Sequence, residues 1–330
     1  MTGTMRIAIV GFGAMGSVYA GLLAETGNDV VAVSRDNEHV RAVRASGLRL
    51  SGPGGDRIIE LNTTTMPAGP PVDLIVLATK AFQVADAIRG AAPIIGLDTI
   101  VLALQNGLGA ADEIAAIVDP DRLAIGIAAA FGAGIRAPGH AHHASLGRIG
   151  LGAYAGLAKA DLERIAAIWT GAGLATTVTA DIAAMQWEKL ICNVAYSGIC
   201  GVTGHTVGEV MDSPDLAPVS EAAAIEAFDI ARKAGIALTV DDPIALVRAF
   251  GTKVREAKPS VLLDIEAGRR SEIDFINGAI DRVARSFGAK APVNATITAL
   301  VRDRESGLSC RARGEAKSSS KRSGAVRKPD

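Results

Sequence analysis

The sequence predicts an α/β domain followed by an all-helical (all-α) domain. In the first half, short apolar segments alternate with amphipathic segments of helical length. After about residue 180, long alanine-rich amphipathic segments follow one another without a competing strand pattern. Continuous apolar strands that alternate with helices are typical of a parallel sheet covered on both faces. We therefore expect the α/β domain over residues 1–180 and the helical domain over residues 181–305.

The individual elements follow from the apolar runs and their period. In the α/β part we expect strands over residues 6–10, 29–33, 74–78, 99–104 and 123–128, and helices over residues 17–26, 37–46 and 81–88. In the second half the 3.6-residue period predicts helices over residues 182–201, 217–234, 243–257 and 272–287.

The last segment, residues 306–330, has a different composition. It carries seven lysines and arginines against two acids, Glu315 and Asp330, with serine repeats and no apolar periodicity. Such a composition predicts disorder, so we expect a solvated basic tail. The alternative is that the tail docks to a nucleic acid or another partner.

The overall composition narrows the class of protein. The 330 residues are 49% hydrophobic and 21% charged, the balance of an ordinary globular protein. A net charge of −1 gives no general attraction to nucleic acid or to an anionic membrane. Three widely spaced cysteines predict reduced thiols. With no pattern of a signal peptide or membrane span, we expect a cytoplasmic protein without nucleic-acid or membrane partners. A homodimer stays open.

A glycine-rich turn lies between the first predicted strand and the first predicted helix. In Gly11-x-Gly13-x-x-Gly16, the first glycine permits the turn, the second lets the backbone approach a pyrophosphate, and the third lets helix and strand pack closely. The helix that follows directs free N–H groups at the phosphates. The pattern predicts a Rossmann-type dinucleotide-binding domain. We expect the cofactor at Gly11, Phe12, Gly13, Ala14, Met15 and Gly16.

The end of the second predicted strand favours NADPH over NADH. NAD enzymes place an acid at this point to bind the ribose hydroxyls. Here the strand ends in Ser34-Arg35, and an arginine can pair with a 2′-phosphate. Asp36 keeps the NAD alternative open, since a shift of one or two residues would place a carboxylate near the ribose.

Two polar residues follow other predicted strands at the carboxyl edge of the sheet, where ligands of such sheets bind. Asn106 could donate a hydrogen bond to a substrate oxygen or to a nicotinamide, although Asn-Gly is also a common turn pair. Lys80 could contact a phosphate or the substrate, or be a solvated lysine.

The second half carries two polar groups of interest. Lys189, Asn193 and Ser197 are spaced four residues apart, so they share one face of an otherwise apolar helix. Further on, the segment from Ser260 to Asp274 contains several acids. Those around Glu272 are typical of a helix start, which is the interpretation we prefer for Asp274.

Five motifs in this order resemble those of the ketopantoate reductase family. They are Gly11-x-Gly13-x-x-Gly16, Lys80-Ala-Phe-Gln83, Gln105-Asn106-Gly107-x-Gly109, Trp187-x-Lys189-Leu190-x-x-Asn193, and the segment from Pro259-Ser260 through Gly268-Arg269-x-Ser271-Glu272-Ile273-Asp274. The resemblance covers about residues 5–303. It implies reduction of 2-dehydropantoate to pantoate with NADPH, in pantothenate and coenzyme A biosynthesis.

The resemblance also implies roles for single residues. Lys189 would be the general acid that protonates the new alkoxide, and Glu272 the carboxylate that orients it; a protonated lysine suits that step. The resemblance further implies substrate binding by Asn193 and Ser260, an active-site position beside the nicotinamide for Asn106, and binding of the NADPH phosphates by Arg35 and Lys80. We also expect Asn106 and Ser197 to bind the substrate.

One departure from the family pattern concerns the substrate. The family commonly has a second asparagine one turn after Asn193, followed by proline, whereas this chain has Ser197-Gly198. A sibling reductase that converts another branched or aromatic 2-oxo acid to a D-2-hydroxy acid is therefore the alternative. A non-catalytic NADP(H) sensor is disfavoured because Lys189 and Glu272 are both present.

A histidine-rich segment lacks the pattern of a metal site. His140, His142 and His143 lie between Gly and Pro residues without a carboxylate or cysteine at ligand spacing, and adjacent histidines point apart on a strand. We therefore predict no metal.

Overall fold

The computed structural model describes residues 4–322, with side chains through residue 307. The chain forms two compact units, the first ending at Gln186 and the second beginning at Trp187. This division lies within one helix, six residues after the boundary expected from the sequence. The expected boundaries at residues 180 and 305 stay predictions.

The first unit contains twelve strands and five α-helices among its described residues. The strands are β1 (Arg6–Val10), β2 (Asp29–Val33), β3 (Leu48–Gly52), β4 (Gly55–Ile59), β5 (Asn62–Thr64), β6 (Leu74–Leu77), β7 (Ile100–Ala103), β8 (Leu123–Ala129), β9 (Gly132–Ala137), β10 (His140–Ser145), β11 (Arg148–Ala153) and β12 (Thr176–Val178). The helices are α1 (Ala14–Ala24), α2 (Glu38–Ser46), α3 (Val84–Ala91), α4 (Ala110–Ala115) and α5 (Lys159–Gly171). Short 3-10 helices cover Ala81–Gln83, Ala92–Ile94 and Pro120–Arg122.

The main sheet confirms the predicted α/β domain. Its eight strands have the order β12-β11-β8-β7-β6-β1-β2-β5. The strands from β8 to β5 are parallel, whereas β11 runs antiparallel to β8. The predictions for residues 6–10 and 29–33 agree with β1 and β2 residue for residue, and the other three strands agree within two residues at either end.

A second, four-stranded sheet with the order β4-β3-β10-β9 was not predicted. Strands β9 and β10 of this sheet consist mainly of Gly, Ala and His, so they lack the continuous apolar runs of the predicted strands, whereas β3 carries the buried Leu48 and Leu50. Helix α1 contacts β3, β9 and β10 of this sheet as well as β1 and β2 of the main sheet. Because α1 is covered by both sheets, eight of its eleven residues are buried and it has no exposed polar face.

The second unit is all-helical among its described residues, as predicted. It contains α6 (Ile182–Thr203, which begins in the first unit), α7 (Val207–Asp212), α8 (Ala217–Lys233), α9 (Pro243–Lys253), α10 (Ser260–Glu266), a 3-10 helix (Ile273–Phe275), α11 (Asn277–Ser286) and α12 (Pro292–Arg322). The four predicted helices correspond to α6, α8, α9 and the region of α11. In the last case the prediction was one helix, whereas the structure has the 3-10 helix followed by α11. No helix in the described part of the chain is long and apolar enough to cross a membrane.

The last described helix reaches into the basic tail. The backbone of α12 continues as a helix through Arg322, into the segment for which we expected disorder from residue 306. The expected disorder of this segment stays a prediction. Residues 323–330 lie outside the described part of the chain.

Candidate active site

The register of the main sheet brings the predicted cofactor residues to one edge of the first unit. Val10 pairs with Val33 and Leu77, and Leu77 pairs with Ala103, so β1, β2, β6 and β7 end level with one another. The segments that leave these four strands carry the glycine turn, Arg35, Lys80 and Asn106. The carboxyl edge of a parallel sheet is where such folds bind their ligands.

The glycine turn leaves a space that a pyrophosphate can occupy. Gly11 has φ +102°, and a Cβ there would lie 2.6 Å from the Thr79 backbone nitrogen. A Cβ at Gly16 would lie 1.9 Å from the Gly11 carbonyl oxygen, so α1 starts directly against the turn. Gly13 is exposed, and a Cβ there would meet no protein atom within 4 Å. The first and third glycines therefore serve the protein's own packing, and the second leaves room for a ligand.

Phe12 is held by a histidine that the sequence did not single out. The His39 ring lies 5.1 Å from the Phe12 ring, centroid to centroid. Gly139 N–H donates to His39 Nδ1 (3.0 Å), so His39 Nε2 carries the proton and donates to Ser17 Oγ (2.9 Å). Burial lowers the pKa of His39 and favours this neutral form. The contacts tie the glycine turn to α2 and to the second sheet.

The two residues considered for cofactor discrimination have different surroundings. Asp36 forms an ion pair with Arg41 (2.6 Å), which partly neutralises its carboxylate. Arg35 is exposed, and its backbone carbonyl accepts a hydrogen bond from Asn37, the residue that caps α2. Arg35 is therefore accessible to a 2′-phosphate, while the Asp36 carboxylate already has a cationic partner.

Gln105 belongs to one of the family motifs but was not predicted as a site residue; it links the segments that lead to Lys80 and to Asn106. Its amide nitrogen donates to the carbonyls of Leu77 (2.8 Å) and Thr79 (3.1 Å), bridging the ends of β6 and β7. Its amide oxygen and the Thr79 hydroxyl are buried without a hydrogen-bond partner in the described structure. These unsatisfied polar atoms lie at the edge where a dinucleotide would bind, as expected if a ligand completes their hydrogen bonding. Thus the residues of this edge fit a nicotinamide cofactor.

In the second unit, α6 carries the predicted polar row. Lys189 and Asn193 are half-buried and Ser197 is buried, while Leu190, Ile191 and Val194 lie in the core. Burial lowers the pKa of Lys189 to about 8, although the negative charge of Glu272 acts in the opposite direction. An ammonium group with such a pKa holds its proton at neutral pH and releases it readily.

Glu272 lies in a buried segment next to a cluster of ion pairs. It is 5% exposed and immediately precedes the 3-10 helix Ile273–Phe275. The backbone N–H of Ser271 donates to Glu305 on α12 (2.8 Å), which holds the segment on one side. Asp274 forms ion pairs with Arg270 (2.9 Å) and Arg302 (2.6 Å). Burial acts to raise the pKa of Asp274, but the hydrogen bonds and charges of the two arginines together outweigh it and lower the pKa. Asp274 thus has the structural role we preferred for it.

The structure groups the predicted site residues within each unit. In the first unit the turn from Gly11 to Gly16 shares an edge with Arg35, Lys80 and Asn106. In the second, Lys189 and Glu272 interact electrostatically, and Asn193 and Ser197 follow Lys189 along the same face of α6. Ser260 is the half-buried first residue of α10. The assigned roles of these residues stay predictions.

The histidine-rich segment forms β10. His140 and His142 both contact the Ser51 hydroxyl, at 2.8 and 3.0 Å, whereas His143 is buried on the opposite side. Burial lowers the pKa of His143. Among the residues with described side chains, no group of three or more His, Cys, Asp or Glu is arranged to hold a metal ion.

Comparison with known proteins gives two family matches and many similar chains. The family model described as ketopantoate reductase PanE/ApbA matches residues 7–156, and the model for its C-terminal part matches residues 181–305. The 2-dehydropantoate 2-reductase of Pyrococcus horikoshii is 34% identical over 302 residues, which are 92% of this chain and 98% of that protein. A PanE/ApbA family ketopantoate reductase from Ralstonia eutropha JMP134 is similar with a TM-score of 0.85 at 28% identity, covering 92% of this chain and 100% of the other. D-mandelate dehydrogenase, solved with NADH and anilino(oxo)acetate, gives a TM-score of 0.86 at 29% identity, covering 92% and 99%.

Proposed function

The chain belongs to the ketopantoate reductase PanE/ApbA family, and on this premise we propose that it is an NADPH-dependent 2-dehydropantoate 2-reductase. It would reduce ketopantoate to pantoate, a step of pantothenate and coenzyme A biosynthesis. The family comprises NAD(P)-dependent reductases of 2-oxo acids. The name of the Pyrococcus horikoshii relative supports ketopantoate as the substrate.

The observation that carries the proposal is the pairing of Lys189 with Glu272 in the second unit. Reduction of a ketone creates an alkoxide that must receive a proton, and a cation beside the oxygen also stabilises the developing negative charge. Lys189 provides both, since its pKa of about 8 leaves it protonated at neutral pH. The neighbouring charge of Glu272 holds that ammonium group in place and keeps its pKa from falling further.

The remaining residues bind and orient the reactants. NADPH, when bound, supplies the hydride. The glycine turn, Arg35 and Lys80 would hold its phosphates at the sheet edge, with Asn106 beside the nicotinamide. Asn193 and Ser260 would hydrogen-bond the substrate, so that its carbonyl oxygen faces Lys189.

The proposal is tested by following NADPH oxidation at 340 nm with purified protein and ketopantoate, beside the same assay with NADH. We expect rapid turnover with NADPH. Absence of turnover with ketopantoate, in protein that binds NADPH, would contradict the proposed substrate.

Arg35 is the residue expected to discriminate between the two cofactors. We expect Arg35→Asp to raise KM for NADPH about tenfold to hundredfold, because a hydrogen bond to a charged group contributes about 1.5–3 kcal/mol. KM for NADH should change little. Arg44→Asp, an equal change of charge at the end of α2, is the matched control. An equal rise of KM for both cofactors would show that Arg35 does not bind the 2′-phosphate.

A second candidate function is the reduction of another branched or aromatic 2-oxo acid. Ser197-Gly198 departs from the family pattern, and a structural relative of this chain is a D-mandelate dehydrogenase. A serine at this position has a shorter polar side chain than asparagine and leaves more space for a bulky substituent. A panel of 2-oxo acids assayed with NADPH separates the two candidates, since the sibling reductase is excluded if ketopantoate has the highest kcat/KM.

The same panel applied to Ser197→Asn tests this residue directly. If Ser197 contacts the substrate, we expect the variant to shift the ratio of kcat/KM toward ketopantoate and away from aromatic 2-oxo acids, about tenfold for a gained hydrogen bond. An unchanged ratio would place Ser197 outside the substrate site.

A further inference from the structure

Behind the polar row of α6, the second unit contains a buried network of side chains that the mechanism does not use. Asn277 and Asn294 are both 0% exposed. Asn277 Nδ2 donates to the Val194 carbonyl on α6 (3.0 Å) and to Asn294 Oδ1 (2.9 Å). Asn277 Oδ1 is buried without a hydrogen-bond partner in the described structure, whereas both hydrogen bonds of Nδ2 are made within this network. Breaking these two bonds would leave a buried donor unpaired, which is costly, so the network resists displacement.

The network is anchored at the beginning of α12. Glu226 on α8 accepts hydrogen bonds from the backbone N–H groups of Val293 (3.1 Å) and Asn294 (2.8 Å). The Asn294 amide donates to the same carboxylate (2.8 Å) and to the Ala223 carbonyl (3.0 Å). A carboxylate at a helix N-terminus is favoured by the free N–H groups there. Asn277 is thus attached to a fixed point outside α6.

Asn277 also lies close in sequence to Glu272. The 3-10 helix Ile273–Phe275 separates the two residues, and Asn277 is the first residue of α11. On the other side of Glu272, the bond from Ser271 to Glu305 holds the same segment. The hydrogen bond from Asn277 to Val194 therefore connects the Glu272 segment to the helix that carries Lys189. Val194 is the residue after Asn193 on that helix.

We propose that Asn277 is a positioning residue that sets the separation between Lys189 and Glu272 by tying the segment after Glu272 to the backbone of α6. This rests on the proposed function. Gly198 makes the contact possible, because a Cβ there would lie 3.0 Å from Asn277 Oδ1 and 2.2 Å from Ile297. α6 can therefore approach α11 and α12 closely at the turn that carries Ser197.

The separation between Lys189 and Glu272 affects the pKa of Lys189. Burial and the charge of Glu272 act on its pKa in opposite directions. The neighbouring carboxylate, Glu188, accepts hydrogen bonds from the N–H (2.6 Å) and hydroxyl (2.7 Å) of Thr239 instead. When the tie to α6 is removed, Glu272 moves away while the burial remains, so the pKa of Lys189 falls.

The test measures the pH dependence of Lys189 labelling in the full-length apoprotein, by competitive acetylation with acetic anhydride and mass spectrometry. Asn277→Leu keeps the number and branching of the side chain's heavy atoms but removes its amide. We expect the midpoint of the Lys189 labelling curve to shift to lower pH, with a fraction of free amine at pH 7 about three- to tenfold higher than in the wild type. If turnover is detected, its decline at alkaline pH should shift in the same direction.

Ile280→Ala is the matched control, because Ile280 is also 0% exposed on α11 but its side chain forms no hydrogen bond. It should lower Tm without moving the labelling midpoint. An unmoved midpoint in Asn277→Leu, with a lowered Tm, would overturn the proposal. If Asn277→Leu does not fold, Asn277→Ser, which is too short to reach Val194, is judged by the same two outcomes. Labelling needs no substrate, so the result stands even if ketopantoate is not reduced.

Discussion

Replacing Lys189 by alanine is expected to lower kcat for ketopantoate reduction about a thousandfold, within the range that general acid catalysis contributes. The alkoxide then has no adjacent proton donor and no adjacent cation. Kd for NADPH, measured by its fluorescence, should stay near the wild-type value, because the cofactor residues lie in the first unit. Lys189→Arg separates the two contributions, since it keeps the charge but is too weak an acid to donate its proton.

The control for these variants is Lys233→Ala, which removes an exposed lysine at the end of α8 and should leave kcat unchanged. In the wild type, kcat/KM for reduction should fall as pH rises through about 8, because Lys189 must be protonated to act as the acid. Loss of Lys189 should abolish this decline. Full activity of Lys189→Ala would remove lysine from the acid role.

The parts of the fold that the sequence predicted are those with a strong local pattern. β1 and β2 are continuous apolar runs because both faces of the main sheet are covered, and the α6 row is visible because its polar residues recur every four positions. The second sheet escaped prediction because β9 and β10 contain small residues and histidines rather than alternating apolar ones. The pairing of β10 with β3 connects residues about 90 positions apart, which no local pattern encodes.

For the candidate site, sequence patterns identified groups that could react but not those that hold them. Lys189 and Glu272 belong to recognisable motifs, whereas His39, Gln105 and Asn277 matter through contacts with residues distant in the chain. The Asn277-Gly278 pair was the one available signal for the network behind α6. An asparagine at a helix start is ordinary, so burial was needed to distinguish it.

Adding a single methyl group at Gly13 should strongly weaken cofactor binding without disturbing the apoprotein. A Cβ at this position meets no protein atom within 4 Å, so Gly13→Ala can fold with little change in Tm. The space it fills is the one through which the pyrophosphate approaches the backbone at the start of α1. We expect Kd for NADPH to rise about a hundredfold, which corresponds to roughly 2.8 kcal/mol of lost binding free energy.

Gly90→Ala is the matched control, because Gly90 is also exposed, has no positive φ and leaves its Cβ without neighbours within 4 Å. It lies in α3, where alanine is favoured over glycine by about 1 kcal/mol, so Tm should rise slightly and Kd for NADPH should not change. The two substitutions add the same methyl group to equally open surroundings. They differ in that a bound dinucleotide would contact the methyl group at residue 13 but not the one at residue 90. Wild-type NADPH affinity in Gly13→Ala would mean that the phosphates do not lie over this turn, and the cofactor site would have to be sought elsewhere in the first unit.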